Sequence, residues 1–109
     1  MKIKSKREGK VIIVRPFGEL DALTGPELKD YFKEKLKISS NLVADLSAVD
    51  FVSSAGLRVF LGTVKDARSN GGDLRLTGVK KDVSKILTVS GFDRILKIYP
   101  TISDAVKSF

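Results

Sequence analysis

The segment LVADL at residues 42–46 constrains the fold of this chain more than any other stretch. Apolar side chains fall on both of its faces, and a strand of this kind lies centrally in a sheet that is covered on both sides. A few residues later, from Leu57 to about Asn70, apolar residues recur at helical spacing. A buried strand that leads into an amphipathic helix is typical of a mostly parallel sheet with crossover helices.

The same alternation of strand and helix patterns extends along the whole chain. The further predicted elements are strands at 2–6, 10–17, 73–77 and 95–99, and helices after Thr24, at 81–90 and after Thr101. The predicted order is ββαβαβαβα, with an edge or antiparallel strand at the start. We therefore expect an α/β fold with a mostly parallel, mixed sheet and crossover helices, formed by residues 1–109 as a single domain.

Proline and glycine predict where several elements end. Pro16 is expected to end the second strand, because proline has no N–H to give to a sheet, and residues 18–21 are expected to form a loop. Asn70 and Gly71 are placed as a helix C-cap and turn, and Gly91 is placed to end the helix at 81–90.

The start of the first helix carries a stronger signal. Thr24 and Glu27 have the spacing of a capping box, in which each side chain satisfies a backbone N–H at the helix start. Leu23 and Leu28 occupy the two positions of the hydrophobic staple that often accompanies such a cap. We therefore predict that Thr24 caps this helix and that Leu23 packs against Leu28.

The composition excludes several kinds of chemistry. The chain has no Cys and no His, which rules out disulfides, zinc sites built on these residues and His-based acid–base catalysis. Neither of the glycine patterns GxGxxG and GxxxxGKS/T occurs, and no His is present to activate a serine nucleophile. We expect a protein without enzymatic activity, cofactor or bound metal.

Charge and hydropathy bear on partners and location. The net charge is +7, but the cations are spread along the chain and alternate with acids, as in ELKDYFKEKLK. The phenylalanines at 32, 51, 60 and 92 are spaced as core residues rather than as a stacking surface for bases. No apolar run is long enough to span a membrane, and VIIV is too short for a signal peptide. We expect a cytoplasmic protein with no direct nucleic-acid or membrane partner.

Two adjacent serines, Ser53 and Ser54, precede the helix at 55–70 and are followed by the small residues Ala55 and Gly56. One hydroxyl is explained by N-capping, because serine is a favoured residue at that position. Capping does not explain the second hydroxyl or the small residues after it. The residues alone leave open whether this step is a cap or a site that is approached closely and modified.

Two segments of the chain resemble the signature of a known family. DLSAVDFVSSAGLRVFL at 45–61 is similar to the STAS-domain pattern, which is close to D-L-S-x-V-x-F-(M/I)-D-S-(S/T)-G-L. GELDALTGPEL at 18–28 is similar to the family's G-x-(L/I)-D-x-x-(T/S) segment, and the predicted element order also matches. The resemblance implies the STAS fold of the anti-sigma-factor antagonists.

The resemblance also implies site residues. The family's phosphorylated serine falls on Ser54, because Gly56 and Leu57 set the register, and Ser53 stands where the family usually has an acid. Ser53 is therefore a competing acceptor. Asp21 matches the acid of the first motif and is implied to contact the partner near the same surface. The implied partner-binding residues are Asp21, Ser53, Ser54, Ala55, Gly56 and Arg58.

The function implied is partner switching. The unphosphorylated protein would bind an anti-sigma factor that is also a serine kinase and so free the sigma factor, and phosphorylation at Ser54 would end binding until a serine phosphatase reset it. An alternative keeps the fold but makes the chain a scaffold or sensor module that binds another protein or a nucleotide. A basic nucleic-acid-binding domain is a third possibility, which strong salt dependence of DNA binding would support.

Overall fold

The second strand, β2, organises the sheet in the computed structural model, which describes all 109 residues. β2 spans Val11–Leu20 and is antiparallel to β1, Lys2–Glu8. Its first half pairs in parallel with β3, Asn41–Asp45, and its last residues pair in parallel with β4, Val49–Val52. Beyond β3 the sheet continues in parallel through β5, Asp73–Thr77, to β6, Lys97–Tyr99.

Four helices connect or follow these strands: α1 at Gly25–Leu36, α2 at Ser54–Ser69, α3 at Lys81–Val89 and α4 at Ile102–Lys107. A short 3₁₀ turn at Phe92–Arg94 lies between α3 and β6. The α/β class and the mostly parallel sheet are thus confirmed, and β5 has the bounds that its alternating pattern predicted. The observed order is ββαββαβαβα, with one strand more than predicted.

The two faces of the sheet are covered unequally. The larger core lies on the side of α1, α2 and α3, where Phe32 and Phe60 are fully buried and their ring centroids are 6.4 Å apart. On the other face only α4 packs, with Ala105 buried against a small cluster that includes Ile13 and Val43. The double coverage of β3 agrees with the apolar pattern on both of its faces.

β2 is longer than predicted, and Pro16 lies inside it instead of ending it. Pairing with β3 stops at Val14 and pairing with β4 starts at Gly18, so Pro16 falls where β2 changes its parallel neighbour. A residue without an N–H interrupts neither parallel ladder at that point. Residues 18–20, predicted as loop, belong to this strand, and Gly18 has a φ of +101° where the register shifts.

β4 is the strand that the sequence pattern did not predict. It has only four residues, of which Val49 and Val52 are buried while Asp50 and Phe51 are exposed. Strict apolar alternation is therefore absent, and its only sheet partner is the extension of β2. The side chain of Phe51, which is spaced like a core residue in the sequence, is 45% exposed.

The start of α1 also differs from its prediction. Thr24 precedes the helix, but its side chain makes no capping hydrogen bond, and Glu27 pairs with the amino terminus of Met1 instead. Leu23 is 85% exposed, so the hydrophobic staple does not form. The predicted ends of α2 and α3 are confirmed, with Gly71 and Gly91 at positive φ after them. No helix is both long and apolar enough to cross a membrane.

Candidate functional site

The end of β2 and the start of α2 are held together by backbone contacts. The Ser53 N–H donates to the Leu20 carbonyl oxygen at 2.8 Å, immediately after the pairing of β2 with β4 ends. This contact places Asp21, the next residue after β2, beside the first turn of α2. The two motifs that resemble the STAS signature, far apart in sequence, therefore meet at one edge of the sheet.

Gly56 makes this approach possible. A Cβ atom at Gly56 would lie 2.9 Å from the Leu20 carbonyl oxygen and 3.0 Å from Val52 Cγ1, distances that real Cβ atoms rarely tolerate. Glycine at this point is thus required by the packing of α2 against β2 and β4. Gly56 was predicted as part of the partner surface, but it is buried. Its direct role is to let α2 pack closely against the ends of β2 and β4.

The two serines have different environments. Ser53 is the N-cap of α2: its backbone is extended, with φ −82° and ψ 175°, and its Oγ accepts a hydrogen bond from the Gly56 N–H at 3.3 Å. Ser54 is the first residue of the helix, its side chain is exposed, and its hydroxyl forms no hydrogen bond within the chain. Of the two hydroxyls, only that of Ser54 is free of a structural role.

The first turn of α2 is electrostatically suited to an anion. The N-terminus of a helix carries partial positive charge and N–H groups without intrahelical partners, and this turn contains no acidic residue to offset them. The chain has Ser53 where the family usually has an acid, so the helix itself supplies no carboxylate here, and the acid beside this turn is Asp21. Arg58, one turn further along, is exposed and forms no ion pair within the chain.

Asp21 organises the turn before α1. Its Oδ1 accepts hydrogen bonds from the N–H groups of Thr24 at 3.0 Å and Leu23 at 2.9 Å. These N–H groups, with a smaller contribution from the Thr24 hydroxyl, hold the pKa of the half-buried Asp21 carboxyl below its ordinary value. The Asp21 N–H in turn donates to the Thr24 hydroxyl, which itself donates to the Glu19 carbonyl oxygen. The Thr24 side chain is thus engaged in this turn, which is why it does not cap α1.

Three of the predicted site residues, Asp21, Ala55 and Arg58, line one groove between α1 and α2, with a volume of about 400 Å³. Ser53, Ser54 and Gly56 do not line it. The sequence pattern missed two features near this edge: the exposed Leu23 in the Asp21 turn and the groove-lining lysines of α1, Lys29 and Lys33. The spacing of these lysines by four residues was the available signal, since it places them on one face of a helix.

Comparison with known proteins identifies the class to which this fold and this edge of the sheet belong. The STAS domain family matches residues 2–105, nearly the whole chain, and the chain belongs to this family. The signature segments at 18–28 and 45–61 lie entirely within the match.

Individual relatives show which kind of STAS protein this chain is similar to. The chain is 31% identical over 101 residues to the anti-sigma F factor antagonist of Paenibacillus polymyxa, a match that covers 91% of this chain and 86% of the relative. It is 31% identical over 83 residues to the anti-sigma-B factor antagonist of Listeria monocytogenes, covering 74% and 72% of the two chains.

Solved structures agree at the level of the fold. A crystal structure of a Thermotoga maritima protein, described as a candidate anti-sigma factor antagonist, superposes with a TM-score of 0.91 at 29% identity, over 97% of this chain and 92% of that one. The anti-sigma factor antagonist SpoIIAA in its unphosphorylated form superposes with a TM-score of 0.81 at 17% identity, over 98% and 95% of the chains. At that identity the second match supports the fold alone.

Proposed function

We propose that this protein is an anti-sigma-factor antagonist that is switched off by phosphorylation of Ser54. The observation that carries the proposal is the division of roles between the two serines, because Ser53 caps α2 while Ser54 is exposed and unengaged at the first helical position. The names of the relatives supply the class of partner, and the solvent-facing edge formed by the Asp21 turn and the first turn of α2 supplies the surface.

In this mechanism the unphosphorylated protein binds an anti-sigma factor in the cytoplasm and thereby frees the sigma factor. The anti-sigma factor is also a serine kinase, and it transfers the γ-phosphoryl group of ATP to Ser54. A bond forms between Ser54 Oγ and phosphorus, the bond to ADP breaks, and the hydroxyl proton leaves with a base of the kinase. A separate serine phosphatase hydrolyses the phosphoserine and restores binding. The protein itself is a substrate and a binding surface, not an enzyme.

Phosphorylation at Ser54 is compatible with the fold. A phosphate adds about −1.5 to −2 charges at neutral pH, and this charge lies at the favourable end of the helix macrodipole. The exposed hydroxyl has room for the added group without displacement of core residues. Loss of partner binding then follows from steric and charge conflict at the interface, and the phosphorylated protein stays folded.

Exposed apolar side chains near the same edge supply binding energy for a protein partner. Leu23 in the Asp21 turn is 85% exposed, and Phe51 on β4 lies two residues before Ser53. Large apolar side chains that are exposed beside a polar rim are typical anchors of protein–protein interfaces. We expect a Leu23→Ser variant to weaken partner binding while the free energy of unfolding stays close to that of the unmodified protein.

The direct test is to incubate the protein with kinase-type anti-sigma factors and ATP and to map the modified residue by mass spectrometry. We expect phosphate on Ser54 in the unmodified protein and in Ser53→Ala, and none in Ser54→Ala. Ser54→Ala should bind the kinase persistently, and Ser54→Asp should bind weakly. Phosphate on Ser53 instead would show that the register is wrong, and the absence of any kinase partner would contradict the function.

A further inference from the structure

The groove between α1 and α2 contains a glycine that the chain's own packing does not require. Gly62 lies in the interior of α2, lines the groove, and is exposed. A Cβ atom at this position would meet no atom within 4 Å, and its φ is not among the positive values. Glycine is among the least favourable residues in a helix interior, so neither sterics nor backbone conformation explains it. A residue without a side chain keeps this part of the groove open.

The rim of this groove is cationic. Lys29 and Lys33 lie one turn apart on α1, Arg58 lies on α2, and none of the three forms an ion pair within the chain. Two acids also line the groove: Asp21, whose Oδ1 already accepts backbone hydrogen bonds, and Asp66. Three free cations therefore oppose two carboxylates, and the groove favours an anionic occupant with some apolar surface to cover the half-buried Leu36.

We propose that this groove is the docking site for an acidic segment of the protein partner, in which a carboxylate stands next to a large apolar side chain. This inference rests on the proposed function, since the partner is the anti-sigma factor. The groove is continuous with the proposed switch surface, because Asp21, Ala55 and Arg58 belong to both. A second copy of this chain is a poor occupant, because each copy carries a net charge of +7.

Arg58 connects the groove to Ser54. Residues four apart on a helix lie on the same face, so a phosphate on Ser54 is within reach of the Arg58 guanidinium. An arginine–phosphate pair is a strong, often bidentate interaction. Phosphorylation therefore draws Arg58 away from the groove and adds negative charge beside the acidic segment. Arg58 thus binds the partner when Ser54 is unphosphorylated and binds the phosphate when Ser54 is phosphorylated.

The test measures binding of a purified kinase-type anti-sigma factor by isothermal titration calorimetry. We expect Arg58→Gln to weaken binding about 10-fold, as for loss of one partner of an interfacial charge pair. Gly62→Leu, which fills the groove, should weaken binding at least as much. The control is Lys65→Gln, which removes one positive charge from an exposed position of α2 outside the groove. The affinity of this variant for the anti-sigma factor should stay within about 2-fold of that of the unmodified protein. Circular dichroism verifies that each variant is folded.

The outcomes separate the two proposals. If Ser54→Asp abolishes binding while Arg58→Gln and Gly62→Leu bind like the unmodified protein, the groove inference is wrong and the proposed function stands. If the unmodified protein binds no anti-sigma factor, both fail. If succinate or inorganic phosphate binds in the groove with a Kd tighter than about 1 mM and the groove variants leave protein binding unchanged, the groove is a small-anion site and the docking inference is overturned.

The link between Arg58 and the phosphate has a readout that needs no partner. Phosphoserine is placed at position 54 by genetic encoding, and its second pKa is followed by ³¹P NMR. We expect Arg58→Gln to raise that phosphate pKa, because a nearby cation stabilises the dianion, and Lys65→Gln to leave it unchanged. Equal phosphate pKa values in all three proteins would overturn the proposed role of Arg58 in the phosphorylated state.

Discussion

At the scale of single residues, backbone conformation gives two neighbouring serines separate roles. Ser53 is extended and its hydroxyl accepts from the Gly56 N–H, whereas Ser54 has entered the helix and its hydroxyl faces solvent. The helix thus keeps its cap when Ser54 is modified. This separation is what the proposed function requires, because the protein must then stay folded with and without the phosphate.

This division predicts unequal stability effects for two otherwise identical substitutions. Ser53→Ala should lower the free energy of unfolding by about 1 kcal/mol, the usual cost of losing an N-cap. Ser54→Ala should change it by less than about 0.5 kcal/mol, as is typical of exposed positions. Urea denaturation measures both, with Ser53→Asp as a control that retains a capping oxygen. Equal losses in the two alanine variants would contradict the assignment of the cap.

The lowered pKa of Asp21 predicts that this residue contributes to stability in a pH-dependent way. Its folded-state pKa is lowered, so its ionised form stabilises the native protein at pH values above the ordinary carboxyl value of 3.8, and this contribution is lost as pH falls through the lowered pKa. Asp21→Asn keeps the acceptor oxygen but removes the charge. It should therefore be less stable than the unmodified protein at neutral pH, with the difference vanishing in acid. Urea midpoints from about pH 7 to about pH 2 test this, and a difference that persists in acid would contradict it.

At the scale of elements, α2 combines two glycines with opposite surroundings. Gly56 is packed against the end of β2, and a side chain there collides with the Leu20 carbonyl oxygen. Gly62 faces the open groove, two turns further along the same helix. Residue type and secondary structure alone give no sign of this difference, because both are glycines within the same helix.

The two glycines predict opposite signs for the same chemical change. Gly56→Ala should destabilise the protein by about 1–3 kcal/mol, since the added methyl group forces backbone to move. Gly62→Ala should stabilise it by about 0.5–1 kcal/mol through helix propensity, which raises Tm by about 4 °C. Thermal unfolding followed by circular dichroism measures both. A loss of stability in Gly62→Ala would show that the glycine is needed by the fold and not by the groove.

At the scale of the whole molecule, one core underlies both the sheet and the groove. Phe32 of α1 and Phe60 of α2 meet in the larger core. The side chains that pack the two helices against the sheet therefore also set the distance between the helices. Gly25, at the start of α1, faces α2, and a Cβ there would lie at an ordinary contact distance of 3.4 Å from Val59 Cγ2. The shape of the groove is therefore a property of the core.

Phe60 provides a test of how much this core contributes to the stability of the fold. Phe60→Ala should lower the free energy of unfolding by about 3–5 kcal/mol, because the side chain is fully buried and leaves a cavity. That is a large part of the stability of an ordinary domain. Phe60→Leu retains most of the apolar volume and should cost less than Phe60→Ala. Urea denaturation with a constant m-value measures both, and equal losses would indicate that burial at this position does not set stability.

Local patterns predicted most of the architecture but not its exceptions. The bounds of β5, the ends of α2 and α3 and the α/β class follow from periodicity and glycine placement, which are properties of neighbouring residues. β4 was missed because its middle residues are exposed and it is completed by pairing with β2. The cap of α1 was predicted wrongly because hydrogen bonds to Asp21 and Glu19 engage the Thr24 side chain.

The sequence by itself determined that two adjacent serines precede a helix that follows a central strand. It also determined the resemblance of two segments to the STAS family. Both features depend on residue order alone. Only the tertiary structure decided which serine has a free hydroxyl and that Asp21 lies at the same edge of the sheet as the start of α2. The physical reason is that the hydrogen bond from the Ser53 N–H to the Leu20 carbonyl oxygen and the close approach at Gly56 join segments that are distant in the chain. Their meeting at one edge exists only after β2 has paired with β4.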